Sequence, residues 1–276
     1  MTYVPCSKRT FTLQLVNPFI RNYKQYVHFL KFLLQRLGYD TTRALWQNAL
    51  KNYDDTFLQE ILSAGWMQTD DAGPASIETK ITSSLEEHFK SPVEGMSRDQ
   101  ARRLIEQTPP IPRIRESFPT LNVVRPTTTY EALHIAFDAL AILVESLLDV
   151  YGKEGELIAY DFLSNSRASI AQGKPVSFAE FVAEAKSFLR SPEPNIFTAG
   201  QDAEIVKTSD AEFIVHIKKC EWARYFQERH PHVGYLIACS TDEVFARACN
   251  EKIRMQRTST LMEGGKLCDF RYYLTA

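Results

Sequence analysis

The stretch Ala203-Glu-Ile-Val-Lys-Thr-Ser-Asp-Ala-Glu-Phe-Ile-Val-His-Ile-Lys218 decides the fold class. Upstream of it, apolar residues recur mostly at helical spacing. Within it they cluster or alternate and are rich in Ile, Val and Phe, so residues 203–207 and 212–218 read as strands. Thr208-Ser-Asp-Ala211 between them reads as a hairpin connection. Downstream, residues 253–261 and 267–274 read as two more strands around the glycine-bearing loop Met262-Glu-Gly-Gly-Lys266. In Leu267-Cys-Asp-Phe-Arg-Tyr-Tyr-Leu274, alternation puts Cys268, Phe270 and Tyr272 on one face and Asp269, Arg271 and Tyr273 on the other.

The rest of the chain is helical by pattern. Asn17-Pro18 supplies a cap and a first-turn proline, and Phe19, Tyr23, Tyr26, Phe29, Leu30, Leu33 and Leu37 follow until Gly38. Asp40 or Thr41 caps a second helix through Leu45, Trp46, Leu50 and Tyr53, and Asp54-Asp55 starts a third that reaches Gly65. Residues 68–76 read as a loop, 81–89 and 98–107 as further helices, and the proline-rich stretch 108–129 as a linker. Helices are then expected over 130–151, from Gly155 to Gly173, and from the capping box Ser177-Phe-Ala-Glu180 to Leu189. Short helices are expected over 220–227, with Trp222 and Phe226 inward, and after a Ser240 or Thr241 cap. The fold class is therefore α+β: a helical N-terminal region over 1–124 and a C-terminal α/β unit with a mostly antiparallel sheet over 125–276.

Composition narrows the function classes. Of 276 residues, 44% are hydrophobic and 24% charged, as in ordinary globular chains. A net charge of -2 gives no field that favours nucleic acid or an anionic membrane. The expected partner is a small molecule, and the apolar N-terminal helices leave a homo-oligomer open. Residues 134–150 form the nearest approach to a membrane span, but Asp138, Glu145 and Asp149 interrupt them. Five cysteines, an odd number without an export signal ahead of them, argue against a disulfide framework and for a reducing cytoplasm.

Chemistry concentrates near the C-terminus. Cys220, Cys239 and Cys268 sit at element boundaries, where they read equally as thiolate ligands of a divalent metal, as a nucleophile with two companions, or as small buried residues. Cys249, between apolar helix neighbours, reads as core. Asp242 opens a helix and is a candidate general base or simply a favourable first-turn charge. Arg254 and Arg257 carry guanidinium forks suited to a substrate carboxylate or to a solvated strand edge, Asn250 an amide that orients a substrate or caps the helix end, and Asp269 a further polar contact. His216 reads as a core residue, and His230 and His232 as members of a surface loop around Pro231. The sequence contains no nucleophile elbow, Walker loop, dinucleotide fingerprint or His-Glu-x-x-His.

Taken together, Cys220-Glu-Trp-Ala-Arg-Tyr-Phe226, Gly234-Tyr-Leu-Ile-Ala-Cys239-Ser-Thr-Asp242, Asn250, and Arg257 through Gly264 to Cys268-Asp269-Phe270 resemble the L-2-amino-thiazoline-4-carboxylic acid hydrolases. The resemblance spans roughly residues 130–276. It implies hydrolytic opening of the thiazoline ring in a bacterial route to L-cysteine, with a manganese preference, zinc being the other metal the thiols suit, and no organic cofactor. It also implies Asp242, Cys239, Cys220 and Cys268 as the reacting set, with Asn250, Arg254, Arg257 and Asp269 around the substrate. The alternative is a vinyl-reductase-like small-ligand or zinc-binding module without catalysis.

Overall fold

The computed structural model describes residues 10–14, 16–51, 67–68, 123–171, 176–189, 196 and 198–275. The helices expected over 54–65, 81–89 and 98–107 lie outside them. The chain divides into two compact units, one of Thr12–Thr127 with Glu131–Gly152, the other of Met1–Phe11, Thr128–Tyr130 and Lys153–Ala276.

In the first unit, α1 (Val16–Leu37) and α2 (Tyr39–Lys51) form where the apolar spacing places them, each starting ahead of its expected cap, so Asn17, Asp40 and Thr41 lie inside the helices. Phe29, Leu30 and Leu33 of α1 are fully buried, and Leu45 and Trp46 of α2 nearly so. Strands β1 (Thr10–Gln14), β2 (Met67–Gln68) and β3 (Val123–Thr128) make a small sheet in the order β1-β3-β2. The linker reading fails at its end: Val123, Val124, Thr127 and Thr128 are β-branched, and residues 123 and 124 pair with Gln68 and Met67. α3 (Thr129–Tyr151) is buried along nearly its whole length, including His134 and Asp138, as a helix apolar on all sides must be. No helix among the described residues is long and apolar enough to cross a membrane.

The second unit carries the sheet that the opening stretch announced. Strands β4 (Gln201–Thr208), β5 (Glu212–Cys220), β6 (Ile253–Gln256) and β7 (Cys268–Leu274) are antiparallel in the order β4-β5-β7-β6. Ser209 closes the hairpin: its backbone N–H donates to the Glu212 carbonyl at 2.8 Å, and the Glu212 N–H donates to the Ser209 hydroxyl at 3.1 Å. Alternation along β5 buries Phe213, Val215 and Ile217 and turns His216 to the other face, so His216 is not the core histidine its apolar neighbours suggested.

Helices cover the buried face. α5 (Phe178–Leu189) brings Phe178, Phe181 and Val182, α8 (Asp242–Cys249) brings Ala246 and Cys249, and α4 (Lys153–Ala171) adds Ala171 to one cluster with Ile253 and Cys268. Cys249 is thus core, as read. The capping box of α5 forms reciprocally, the Ser177 N–H donating to Glu180 Oε2 at 2.7 Å and the Glu180 N–H to Ser177 Oγ at 3.2 Å. Ser177→Ala removes the acceptor for that Glu180 N–H, and a thermal melt should show Tm lower by roughly 2–4 °C.

Two short helices, α6 (Glu221–Arg229) and α7 (Gly234–Ala238), lead from the sheet towards α8. Gly234 is required at their junction, because a Cβ there would lie 2.5 Å from Phe226 Cβ and 2.8 Å from Met262 Sδ. His230 is buried rather than on a surface loop: its ring packs near Tyr225 and Phe226, while His232 is exposed. The hairpin expected between β6 and β7 is a longer excursion. Strand pairing stops at Gln256, a 3-10 turn occupies Leu261–Glu263, and Gly264 ends it with φ +83°.

Candidate functional site

Cys239 follows α7 and Asp242 begins α8, so one tight connection presents the thiol and the carboxylate together. Arg257, immediately after β6, reaches across to both. Its Nη1 donates to Asp242 Oδ2 at 2.9 Å, and its Nη2 donates to the Cys239 carbonyl at 3.1 Å. The guanidinium also lies over the rings of Tyr235 at 5.6 Å and Phe270 at 4.9 Å. Only 6% of the Arg257 side chain and 17% of the Asp242 side chain are exposed, so the pair works in a medium poorer than water at screening charge.

A residue that the sequence did not single out completes the ion cluster. Arg167, near the end of α4, puts Nη2 3.8 Å from Asp242 Oδ1 and stacks its guanidinium over Phe245 at 4.9 Å. Tyr272 of β7 stands close enough to feel Asp242, Arg257 and Arg167, and its ring is wedged against Phe181, Phe213 and Phe270. Arg167 was missed because it lies 75 positions before Asp242 on a helix; only the packing of α4 beside α8 brings them together.

Burial governs the titration of these groups. It pushes the Asp242 carboxyl above the ordinary aspartate range, with Arg257 and then Arg167 pulling against it. Burial likewise pushes the Cys239 thiol far up, helped by Asp242 and opposed by Arg257, so the group is a thiol and not a thiolate at neutral pH. For Arg257, burial works against the charge, but Asp242 and Cys239 outweigh it and hold the guanidinium protonated. Burial also raises the Tyr272 phenol, so it too stays protonated.

Cys220 and Cys268 act on the Cys239 titration, which places all three thiols in one neighbourhood. Cys268 Sγ accepts a hydrogen bond from the Leu261 N–H at 3.2 Å and is otherwise in the core. Among the described residues no three His, Cys, Asp or Glu side chains are arranged to hold a metal ion.

The remaining candidates point elsewhere. Asn250 has both ends of its amide engaged, Nδ2 donating to the Val176 carbonyl at 2.9 Å and Oδ1 accepting from the Lys252 N–H at 2.9 Å. Arg254 turns back onto the carbonyls of Glu251 and Ile253. Asp269 lies on the face opposite Cys268, as alternation required, and accepts from the N–H groups of Thr258 at 2.9 Å and Ser259 at 2.7 Å and from the Thr258 hydroxyl at 2.5 Å. These are structural engagements. An open groove of about 380 Å³ lined by Leu189, Gln201, Glu204 and Lys218 lies beside the β4 edge, but none of the ion-cluster residues line it.

Comparison with known proteins adds one positive result. No curated protein and no solved structure matches the chain. The family model described as L-2-amino-thiazoline-4-carboxylic acid hydrolase matches residues 129–272, just over half of the chain, and includes Arg167, Cys239, Asp242, Arg257 and Tyr272. With that match covering every element of the ion cluster, the chain belongs to the L-2-amino-thiazoline-4-carboxylic acid hydrolase family.

Proposed function

We propose that this chain hydrolyses the ring of L-2-amino-thiazoline-4-carboxylate to a carbamoyl-L-cysteine. The observation that carries the reading is the half-enclosed Asp242 carboxylate, raised in basicity by burial, oriented by Arg257 and set beside the protonated Cys239 thiol. A carboxylate whose pKa is raised by burial is a stronger base than an exposed one.

The electrophile is the ring carbon bonded to sulfur, ring nitrogen and the exocyclic amine. Asp242 takes a proton from water as the oxygen–carbon bond forms, and the tetrahedral intermediate then breaks one ring bond. Loss of sulfur gives N-carbamoyl-cysteine; loss of ring nitrogen gives S-carbamoyl-cysteine. The departing atom takes its proton from protonated Asp242, which returns the carboxylate to its starting state. Arg257 keeps the Asp242 oxygens in place and compensates their charge between turnovers.

The Cys239 thiol has no proton-transfer or nucleophilic role in this scheme, since burial disfavours the thiolate that either role would require. Cys239→Ser should therefore keep turnover within about tenfold of wild type, whereas loss of a covalent nucleophile removes several decades. Steady-state rates of the two proteins decide between them. The parent reaction is tested by incubating purified protein with L-2-amino-thiazoline-4-carboxylate, with and without manganese and with chelator, following ring loss by absorbance and product by mass spectrometry. A single carbamoyl-cysteine isomer is expected; an intact ring under every condition overturns the reading.

A further inference from the structure

We infer that Arg167 is the anion-binding residue of this site, the group that takes the carboxylate of the substrate, and that Arg257, its obvious rival, is committed to holding Asp242. The inference deepens the proposed reaction and rests on it. Its basis is the difference in how the two guanidiniums are engaged.

Arg257 is engaged on both terminal nitrogens. They donate to Asp242 Oδ2 and to the Cys239 carbonyl, two aromatic rings flank the guanidinium, and 6% of its side chain is exposed. A ligand that took Arg257 would have to strip Asp242 of its partner and release the α7–α8 connection. Arg254 is spent on backbone carbonyls.

Arg167 is the opposite case. Its separation of 3.8 Å from Asp242 Oδ1 is an ion pair beyond hydrogen-bond length. Its Nε is buried without a hydrogen-bond partner, a costly state for a charged donor. Yet 35% of the side chain is exposed, so a ligand can reach it from solvent, and the Phe245 ring beneath fixes the plane of the fork.

Charge leads to the same residue. The groups that act on Asp242 are Arg257 and Arg167, so two guanidiniums face one carboxylate and the cluster carries one uncompensated positive charge. Cys239 and Tyr272, the other titratable groups against it, are protonated and neutral. One small monoanion restores balance. A bidentate carboxylate on the Arg167 fork would satisfy Nε and fix the ring relative to Asp242.

The test compares L-2-amino-thiazoline-4-carboxylate with its neutral carboxamide in wild type, Arg167→Gln, Arg167→Lys and Arg254→Gln. Wild type and Arg254→Gln should prefer the acid over the amide in kcat/KM. Arg167→Gln should lose about 30-fold on the acid, mostly through KM, and little on the amide, so the preference collapses. Arg167→Lys, with charge but no fork, should fall between them. Turnover of the amide by Arg167→Gln also reports that the variant is folded. An acid preference that survives in Arg167→Gln overturns the assignment and leaves the hydrolase reading standing. If wild type turns over neither compound, the hydrolase reading fails, and calorimetry with the unreactive L-thiazolidine-4-carboxylate decides the clamp: binding lost in Arg167→Gln supports it, and binding unchanged or absent in wild type overturns it.

Discussion

Asp242→Ala should abolish turnover and lower the unfolding free energy by about 3 kcal/mol, because it leaves the Arg257 guanidinium buried without its carboxylate. The loss is larger than for an exposed pair since 6% of Arg257 is open to water, and water cannot replace the missing partner. Arg167 does not compensate; it adds a second positive charge to a cluster that has lost its carboxylate. The double variant Asp242→Ala, Arg257→Leu removes both ends of the pair and should cost clearly less than the sum of the single variants, as interacting residues do. Urea unfolding of the four proteins measures the coupling. Additive losses would mean that the pair contributes nothing as a pair. Asp242→Asn keeps the shape and one acceptor for Arg257 but not the charge: it should cost less stability than Asp242→Ala, while kcat falls by about 10²–10⁴ with the base removed.

Asp269→Ala should cost about 2 kcal/mol and impair catalysis from a distance. The Asp269 carboxylate accepts three hydrogen bonds from Thr258 and Ser259, directly after Arg257, and so anchors the chain where it leaves β6. Without it the Thr258 and Ser259 N–H groups lose their acceptor, and the backbone that aims Arg257 at Asp242 loosens. Burial works to raise the Asp269 pKa, but the hydrogen bonds from the Thr258 side chain and the Ser259 and Thr258 backbone outweigh it and hold the group below the ordinary aspartate value. A carboxylate lowered on folding contributes stability above its unfolded pKa, about 3.9, and loses that contribution as pH falls through the folded value. Stability of the wild type should therefore drop on acidification below about pH 4, and Asp269→Asn should flatten that part of the profile. Denaturant midpoints measured from pH 6 downward test this, and an unchanged acid limb in Asp269→Asn would remove Asp269 from the account.

Local signals carried most of the fold. The switch to alternation after residue 203 specified the β4–β5 hairpin, because only a strand lets Phe213, Val215 and Ile217 share one buried face. The Ser177 and Glu180 capping box is likewise a contact within one turn, legible without a partner. Where the expectation failed, a distant partner decided. β3 is a strand because residues 123 and 124 pair with 68 and 67, and the chain after Gln256 leaves the sheet because Asp269 captures Thr258 and Ser259.

The site divides in the same way. Cys239 and Asp242 stand three positions apart, so a helix start alone brings them to one place, and the sequence marked both. It also offered Arg254, Arg257 and Asn250 on equal terms. Side-chain direction separated them: Arg257 points at Asp242, whereas Arg254 and Asn250 are drawn to nearby backbone. Arg167 and Tyr272 reach the same carboxylate from a helix and a strand far away in the chain. The sequence by itself determined the α4 to β7 elements and the family to which the chain belongs, since each depends on spacing along the chain. The tertiary structure alone decided which cations meet Asp242 and which of them has a donor left to offer, since those depend on how α4, α8 and the end of β6 pack in space.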